Sequence, residues 1–211
     1  MRAQLGFALM LVACSSAGDA VTSDGATLQD AGVGADTNPP ADLSSTPMPT
    51  LFPLKLGNQW SFASTILGTG AACGKTMTQT VASTNATDGR PAFQVTTLCP
   101  PPSVLSTDSY SVPASGGDEV DYDYQGTWTM VIDPTLVDGH SWPSVQGQTL
   151  TWQRVVGSIT VPAGTFADCW TAHSSQTGNV FSTYCRGVGP VRTHFDVSGN
   201  GADWQLTSKN F

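Results

Sequence analysis

The chain contains 211 residues, of which 11% are charged, and its formal net charge is −8. A charged fraction far below the usual ~25% disfavours long surface helices, because Lys and Glu are the residues that solvate their outer faces. The eight Lys and Arg are also too few for a nucleic-acid partner. These numbers predict an all-β fold with one compact domain, and no bound nucleic acid.

The N-terminus has the pattern of an export signal. Arg2 precedes an apolar run over residues 5–13. The run is too short for a permanent transmembrane helix, which takes about 20 residues, and it has the form of a secretory signal peptide. We therefore assign residues 1–13 to a signal peptide that is removed on export.

The signal peptide ends in Leu11-Val12-Ala13-Cys14, which resembles the lipobox of bacterial lipoproteins. The resemblance implies cleavage before Cys14, lipid attachment to its sulfur and anchoring in a membrane. In lipoproteins of this kind, an Asp directly after the acylated Cys implies the inner membrane. Ser15 occupies this position here, so the resemblance implies the outer membrane. The alternative is an ordinary signal peptide in which Cys14 is incidental.

The segment that follows is predicted to be a tether. Residues 15–50 contain no aromatic residue, no Lys and no Arg, but they contain five Asp. Such a sequence cannot bury enough apolar surface to offset its ordering entropy. We therefore divide the chain into a signal peptide at 1–13, a lipidated N-terminus with a disordered acidic linker at 14–50, and a β domain at 51–211.

Apolar residues in the β domain alternate with period two, as in Trp60-Ser61-Phe62, and turn signals recur every ten to fifteen residues. This pattern predicts about nine or ten antiparallel strands in a meander that forms a curved sheet, a half-barrel or a barrel. The alternative is a two-sheet sandwich. Eleven segments carry the pattern, one or two more than the expected number of strands: 58–66, 76–84, 91–99, 107–112, 119–124, 127–132, 148–160, 168–175, 180–186, 190–196 and 203–209.

The cysteine count supports export and lipidation. If Cys14 carries lipid, an even number remains for disulfides, namely Cys73, Cys99, Cys169 and Cys185. Four cysteines allow three connectivities. Their positions about the predicted hairpin turns favour pairing Cys73 with Cys99 and Cys169 with Cys185. A zinc site would need a C-x-x-C spacing, which is missing.

Three histidines and one serine are the candidates for catalytic or metal-binding groups. The stretch 139–143, GHSWP, is only superficially similar to the G-x-S-x-G nucleophile elbow, because Pro143 replaces the final Gly. His140, His173 and His194 are not spaced as metal ligands are, so we expect each of them to be an isolated histidine and not part of a metal site. We predict no catalytic residue, no resident metal and no cofactor.

An acidic strand offers a weak calcium candidate. Alternation over 119–124 places Glu119, Asp121 and Asp123 on one face and an aromatic set on the other. Carboxylate oxygens are suitable ligands for Ca²⁺ if a neighbouring loop contributes more of them. The competing explanation is a solvated strand face over an aromatic core.

Three further stretches occur in order: PLKLGNQW at 53–60, VPAGTFADC at 161–169 and GVGPV at 187–191. Together they resemble a recurrent pattern in uncharacterised bacterial lipoproteins and exported proteins. The resemblance implies an exported lipoprotein and brings no established activity. We expect structural roles for the three motifs: a turn into the strand of Trp60, a turn at 162–164, and a bend or bulge at 187–189.

Several functions are compatible with these features. The first is a non-enzymatic, lipid-anchored domain that binds an apolar ligand in a concave sheet or an envelope component, with lipid, glycan and envelope protein as possible partners. The second is a surface structural or adhesion lipoprotein, and the third is a hydrolase. A large apolar cavity would favour carriage of a ligand, whereas a filled core with exposed aromatic residues would favour interaction. A hydrolase would need a histidine beside a carboxylate and a hydroxyl.

Overall fold

The computed structural model describes residues 49–68, 73–87, 90–100, 103–113 and 116–211. Cys14 and the predicted tether, apart from its last two residues, lie outside this part of the chain. The described residues form fourteen β-strands: β1 Gln59–Leu67, β2 Thr76–Thr87, β3 Arg90–Cys99, β4 Ser103–Ser111, β5 Val120–Tyr124, β6 Thr127–Ile132, β7 Ser141–Pro143, β8 Thr149–Arg154, β9 Ser158–Val161, β10 Gly164–Ala167, β11 Cys169–Ser174, β12 Asn179–Cys185, β13 Gly189–Val197 and β14 Asn200–Lys209.

Twelve of these strands make one antiparallel sheet in the order β6-β5-β4-β3-β2-β1-β14-β13-β12-β11-β8-β7. The sheet is nearly closed into a barrel, so the predicted all-β meander is confirmed and the sandwich alternative is wrong. Side-chain hydrogen bonds link the region of edge strand β6 to the opposite edge of the sheet, formed by β7 and β8. Ser144 Oγ donates to the Met130 carbonyl (3.2 Å), and Trp152 Nε1 donates to the Asp133 carbonyl (3.1 Å).

The predicted strand at 148–160 is in fact two strands, β8 and β9. Gly157, at φ +78°, lies in the turn that separates them. Strands β9 and β10 form a separate hairpin. Its turn residue Ala163 donates its amide to the Leu206 carbonyl of β14 (2.9 Å). Strands β7 and β10, of three and four residues, were not predicted because so short a run carries little periodic signal.

The alternating residues fill the interior of the barrel. Five of the six tryptophans are buried, and Trp60, Trp152 and Trp204 are among the largest fully buried side chains. Trp60 Nε1 donates to the Val188 carbonyl (2.6 Å), so its polar atom is satisfied inside the apolar core. Trp128, on the edge strand β6, is half-buried beneath the guanidinium of Arg90.

The four cysteine sulfurs in the described part of the chain lie in two pairs at disulfide distance, the pairing that the hairpin positions predict. Cys169 and Cys185 face each other across β11 and β12. Cys73, just before β2, pairs with Cys99 at the end of β3. Each bond therefore joins neighbouring strands, and the two lie in different parts of the sheet.

Candidate functional site

The three motifs of the lipoprotein-like pattern converge at one end of the barrel. Residues 49–54, which we name the strap, insert Leu51 and Phe52 into this end, and both side chains are buried. The Phe52 ring lies 5.4 Å from that of Trp60 and 6.2 Å from that of Tyr184. We name this the strap end; it is the end at which β1 begins and β14 finishes.

Polar contacts hold the strap in place. The Leu51 amide donates to Asp118 Oδ1 (2.7 Å), and the Gly187 amide donates to the Thr50 carbonyl (2.9 Å). Arg186 makes ion pairs with Asp118 (2.7 Å) and Asp168 (3.0 Å). These contacts fasten three loops to the strap at the point where the chain arrives from its N-terminal region.

The GVGPV motif allows a close backbone approach at the strap end. Gly189 has φ +91°, and a Cβ at this position would lie 2.8 Å from Trp60 Nε1. Only glycine fits both the conformation and the space. The register between β12 and β13 also shifts at Thr183 and Tyr184, as expected for a bulge in this region. The turns predicted before Trp60 and at 162–164 are present, whereas residues 187 and 188 lie in the turn between β12 and β13 and the register shift falls just beyond them.

The interior leaves little room for a ligand. In the described part of the chain, the cavity inside the barrel measures about 30 Å³ and is lined by residues that include Phe52, Tyr110 and Tyr184. This volume holds a water molecule or two and cannot hold an acyl chain. Ligand chemistry must therefore be sought on the outer face.

Chemically active side chains gather on the outer face of β11–β14. The register places His173 opposite Phe181, Phe181 opposite His194, and His194 opposite Asp203. We name His173, Phe181, Arg192, His194 and Asp203 the outer cluster. The sequence places these residues on four strands, and the antiparallel ladder brings them into one row.

The rings of the outer cluster stack along this row. The Phe181 ring lies 5.0 Å from the His194 ring at an interplanar angle of 12°, and 5.3 Å from the His173 ring. The Arg192 guanidinium lies 5.3 Å from the Phe181 centroid, within cation–π range. The row thus presents an apolar ring flanked by groups that form hydrogen bonds.

Asp203 organises the polar side of the outer cluster. It accepts hydrogen bonds from Arg192 Nε (2.7 Å) and Gln205 Nε2 (2.9 Å), and His194 Nδ1 lies 3.3 Å away. Burial alone would raise the pKa of Asp203, but these hydrogen bonds and the Arg192 charge outweigh it and hold the pKa below its usual range. Asp203 is therefore a carboxylate that balances Arg192.

His173 lies at the other end of the row. Its Nε2 is 2.9 Å from Gln153 Oε1 of β8. Burial lowers the pKa of His173, which favours the neutral imidazole at pH 7. Because the Arg192 and Asp203 charges cancel and His173 is neutral, these three side chains present donors and acceptors with little net charge.

His140 lies elsewhere, near the seam between β6 and β7. Its ring stacks on Trp142 (6.3 Å, 14°), and its Nε2 is 3.4 Å from Asp133 Oδ1. Ser141, the serine of the GHSWP stretch, lies on strand β7 and hydrogen-bonds with Thr151. The strand–turn–helix context of a nucleophile elbow is missing there.

The acidic strand does not assemble a cation site. Asp121 forms a salt bridge with Arg90 (2.9 Å), and Asp123 accepts the Gly126 amide in the turn that follows β5 (2.8 Å). Glu119 precedes β5. Across the described ranges, no group of three or more His, Cys, Asp and Glu side chains is arranged to hold a metal ion.

Both histidines of the outer cluster are candidates from the sequence, whereas Phe181, Arg192 and Asp203 are not. A usable signal existed. Cys169 and Cys185 are each eight residues from Thr177, in the predicted hairpin turn, and this symmetry favours their pairing. His173 and Phe181 are each four residues from the same Thr177. Applying this symmetry to side chains other than cysteine would have placed the two rings together.

The chain matches no protein-family model and no curated protein. It is similar to two solved structures. A "putative lipoprotein" from Parabacteroides distasonis is 14% identical, with a TM-score of 0.43, over 78% of this chain and 100% of that one. A "putative exported protein with YmcC-like fold" from Bacteroides fragilis is 12% identical, with a TM-score of 0.35, over 76% and 98%. Both TM-scores are below 0.5, so neither likeness bears on what this chain does.

No helix within the described ranges is long and apolar enough to cross a membrane.

Proposed function

We propose that this chain is an exported lipoprotein, acylated at Cys14 and anchored in the outer membrane. Residues 14–50 serve as the tether and residues 51–211 as a non-enzymatic binding domain. The lipobox directly after the apolar run supports the anchor, as does the even number of cysteines that remains once Cys14 is assigned to lipid.

The domain binds an envelope component on its outer face. One observation carries this proposal: the barrel interior is filled to a remaining cavity of about 30 Å³, while the outer cluster displays stacked rings and hydrogen-bonding groups. A filled interior argues against carriage of an acyl chain. The outer cluster offers an alternative place for a ligand, on the outer face of the barrel.

The chemistry of the outer cluster fits a neutral glycan. Sugar rings combine apolar C–H faces with hydroxyl groups, which match the Phe181 ring and the Asp203 carboxylate. An anionic glycan is disfavoured, because Arg192 is already paired with Asp203 and residues 51–211 contain 7 basic and 11 acidic residues, a net charge of −4.

A structural or adhesion role is the second candidate, and the two disulfide-paired regions of a filled barrel favour it.

The hydrolase hypothesis has less support. His194 and His140 each lie beside a carboxylate, but in the described part of the chain neither imidazole has a hydroxyl among its hydrogen-bond partners.

A glycan microarray tests the binding proposal. The full-length chain is compared with Phe181→Ala and with Thr96→Ala, a matched control whose side chain lies on the outer face of β3. We expect binding to a neutral bacterial polysaccharide that Phe181→Ala weakens at least tenfold and Thr96→Ala leaves unchanged. A chain that binds none of the arrayed glycans would favour the structural role.

The anchor has its own test. Metabolic labelling with an alkyne fatty acid, followed by mass spectrometry of the N-terminal peptide, should find the label on Cys14. Cys14→Ala should abolish the label and release the protein from the membrane fraction. Labelled protein that sediments with the inner membrane would contradict the outer-membrane assignment and leave acylation standing.

A further inference from the structure

Three exposed aliphatic side chains lie on loops at the strap end of the barrel. Leu56 lies in the turn before β1, Val137 in the loop between β6 and β7, and Val156 in the loop after β8. Antiparallel pairing puts these three loops at the same end. Trp60 pairs with Lys209, and the Asp138 carboxylate of the second loop accepts the amide of Arg154 at the end of β8 (2.8 Å).

These loop tips are more exposed than the aliphatic residues on the barrel wall. Leu56 and Val137 are each 58% exposed and Val156 is 94% exposed, whereas Ile66 and Leu98, which lie in strands, are 41% and 39% exposed. Beside Val156 there is an open depression of about 550 Å³ whose lining includes Val155 and Ala167. Single exposed aliphatic residues are ordinary, but these three share one end of the barrel, the end at which the strap lies.

We propose that the strap end is a membrane-docking face, and that Leu56, Val137 and Val156 insert into the lipid interface. The occupant is a bilayer because the chain arrives at this same end. The strap is bound there through the Thr50 carbonyl, and it continues directly from the predicted tether. The inference rests on the proposed function, since the acylated Cys14 would hold the strap end close to lipid.

Apolar insertion, and not charge, drives this docking. Two carboxylates beside the tips have partners within the protein. Asp138, which follows Val137 in the chain, accepts the Arg154 amide, and Asp168, which lines the depression beside Val156, binds Arg186. Docking should therefore occur on zwitterionic lipid and vary little with salt. Weak insertion suffices, because a tethered domain meets the bilayer at high effective concentration.

Quenching by brominated lipid tests the proposal on the full-length processed protein, reconstituted in vesicles of brominated phosphatidylcholine. Val156→Trp and Val137→Trp place a fluorophore at two tips, and Ile66→Trp is the matched wall control. The signal of the unsubstituted protein, which contains six tryptophans, is subtracted. We expect at least half of the added fluorescence to be quenched for both tip variants, at low and at high salt, and less than a tenth for Ile66→Trp.

Equal quenching of the three variants, or quenching of none, would overturn the docking face. A separate measurement shows whether the proposed lipid anchor exists, because mass spectrometry of the N-terminal peptide reports whether Cys14 carries lipid. If Cys14 is unmodified, the proposed function falls. Quenching by an excess of added vesicles then still decides whether the strap end docks.

Discussion

The wall formed by β1–β4 and the wall formed by β11–β14 place their polar groups on opposite sides. The outer face of the first wall is uncharged where Thr96 meets Thr107 and Gln94 meets Ser109. Its inner face carries Asp108, a buried carboxylate opposite Val95.

The second wall reverses this arrangement. Its inner face is largely apolar, with Val180, Phe195 and Trp204, and its outer face carries Asp203 within the outer cluster. A barrel wall can thus hold its ionisable chemistry inside, where burial penalises charge, or outside, where charge is available to a ligand. The comparison supports binding on the β11–β14 wall.

The largest effect should come from the apolar interior of the second wall. Trp204→Ala removes a side chain with no exposed surface and should lower the free energy of unfolding by about 3–5 kcal/mol. Urea denaturation measures the loss. Trp128→Ala, at the half-buried edge, should cost less, about 1–2 kcal/mol. Similar losses of unfolding free energy for both variants would mean that the apolar interior of this wall contributes no more to stability than the edge strand does.

Each wall also contains one disulfide, with sequence separations of 26 for Cys73–Cys99 and 16 for Cys169–Cys185. In the chain-entropy model, replacing either pair with alanine costs about 3 kcal/mol, and the longer loop costs slightly more. Thermal unfolding of the two double variants measures the difference. A much larger loss for the shorter loop would indicate that native contacts on the β11–β14 wall dominate over loop entropy.

Asp108 tests the inner face of the first wall. Burial raises the pKa of Asp108, although hydrogen bonds from Ser106 and Tyr122 partly oppose the rise. The folded state therefore holds this proton to higher pH than the unfolded chain does, and stability falls as pH rises from about 4 through the folded-state pKa. Asp108→Asn should remove this decline and raise the free energy of unfolding at pH 7 by about 1 kcal/mol.

Urea titrations of Asp108→Asn and the unsubstituted chain across pH 4–8 measure the effect as a difference between the two proteins. Ser106→Ala, which removes one hydrogen bond to the carboxylate (2.7 Å), should act in the opposite direction and destabilise the chain at pH 7. Parallel pH profiles for Asp108→Asn and the unsubstituted chain would show that burial does not control this carboxylate.

Asp203 should show the smallest effect and the opposite sign. Because its pKa is lowered in the folded state, its contribution is present above the unfolded pKa of about 4 and is lost as pH falls through the folded-state pKa. Asp203→Asn should cost about 0.5–1 kcal/mol at pH 7, and the cost should vanish in acid. A loss that persists at low pH would mean that Asp203 acts through packing.

Much of the fold could be predicted because it depends on local patterns. Period-two alternation identifies most strands, and symmetry about a hairpin turn pairs Cys169 with Cys185. The prediction failed where the local signal was weak. It missed the three-residue strand β7. It also merged β8 with β9, because the apolar residues Val155 and Val156 continue the hydrophobic pattern through the turn between these strands.

The composition and spacing of the sequence by themselves determined the β class, and they favoured the meander and the disulfide pairing that the structure contains. These properties follow from alternation and turns, which act over a few residues. Only the tertiary structure decided that the barrel interior is filled, that the strap closes one end, and that His173, Phe181 and Asp203 share a face. Register across several strands and side-chain volume set these features, and neither can be read from one segment alone.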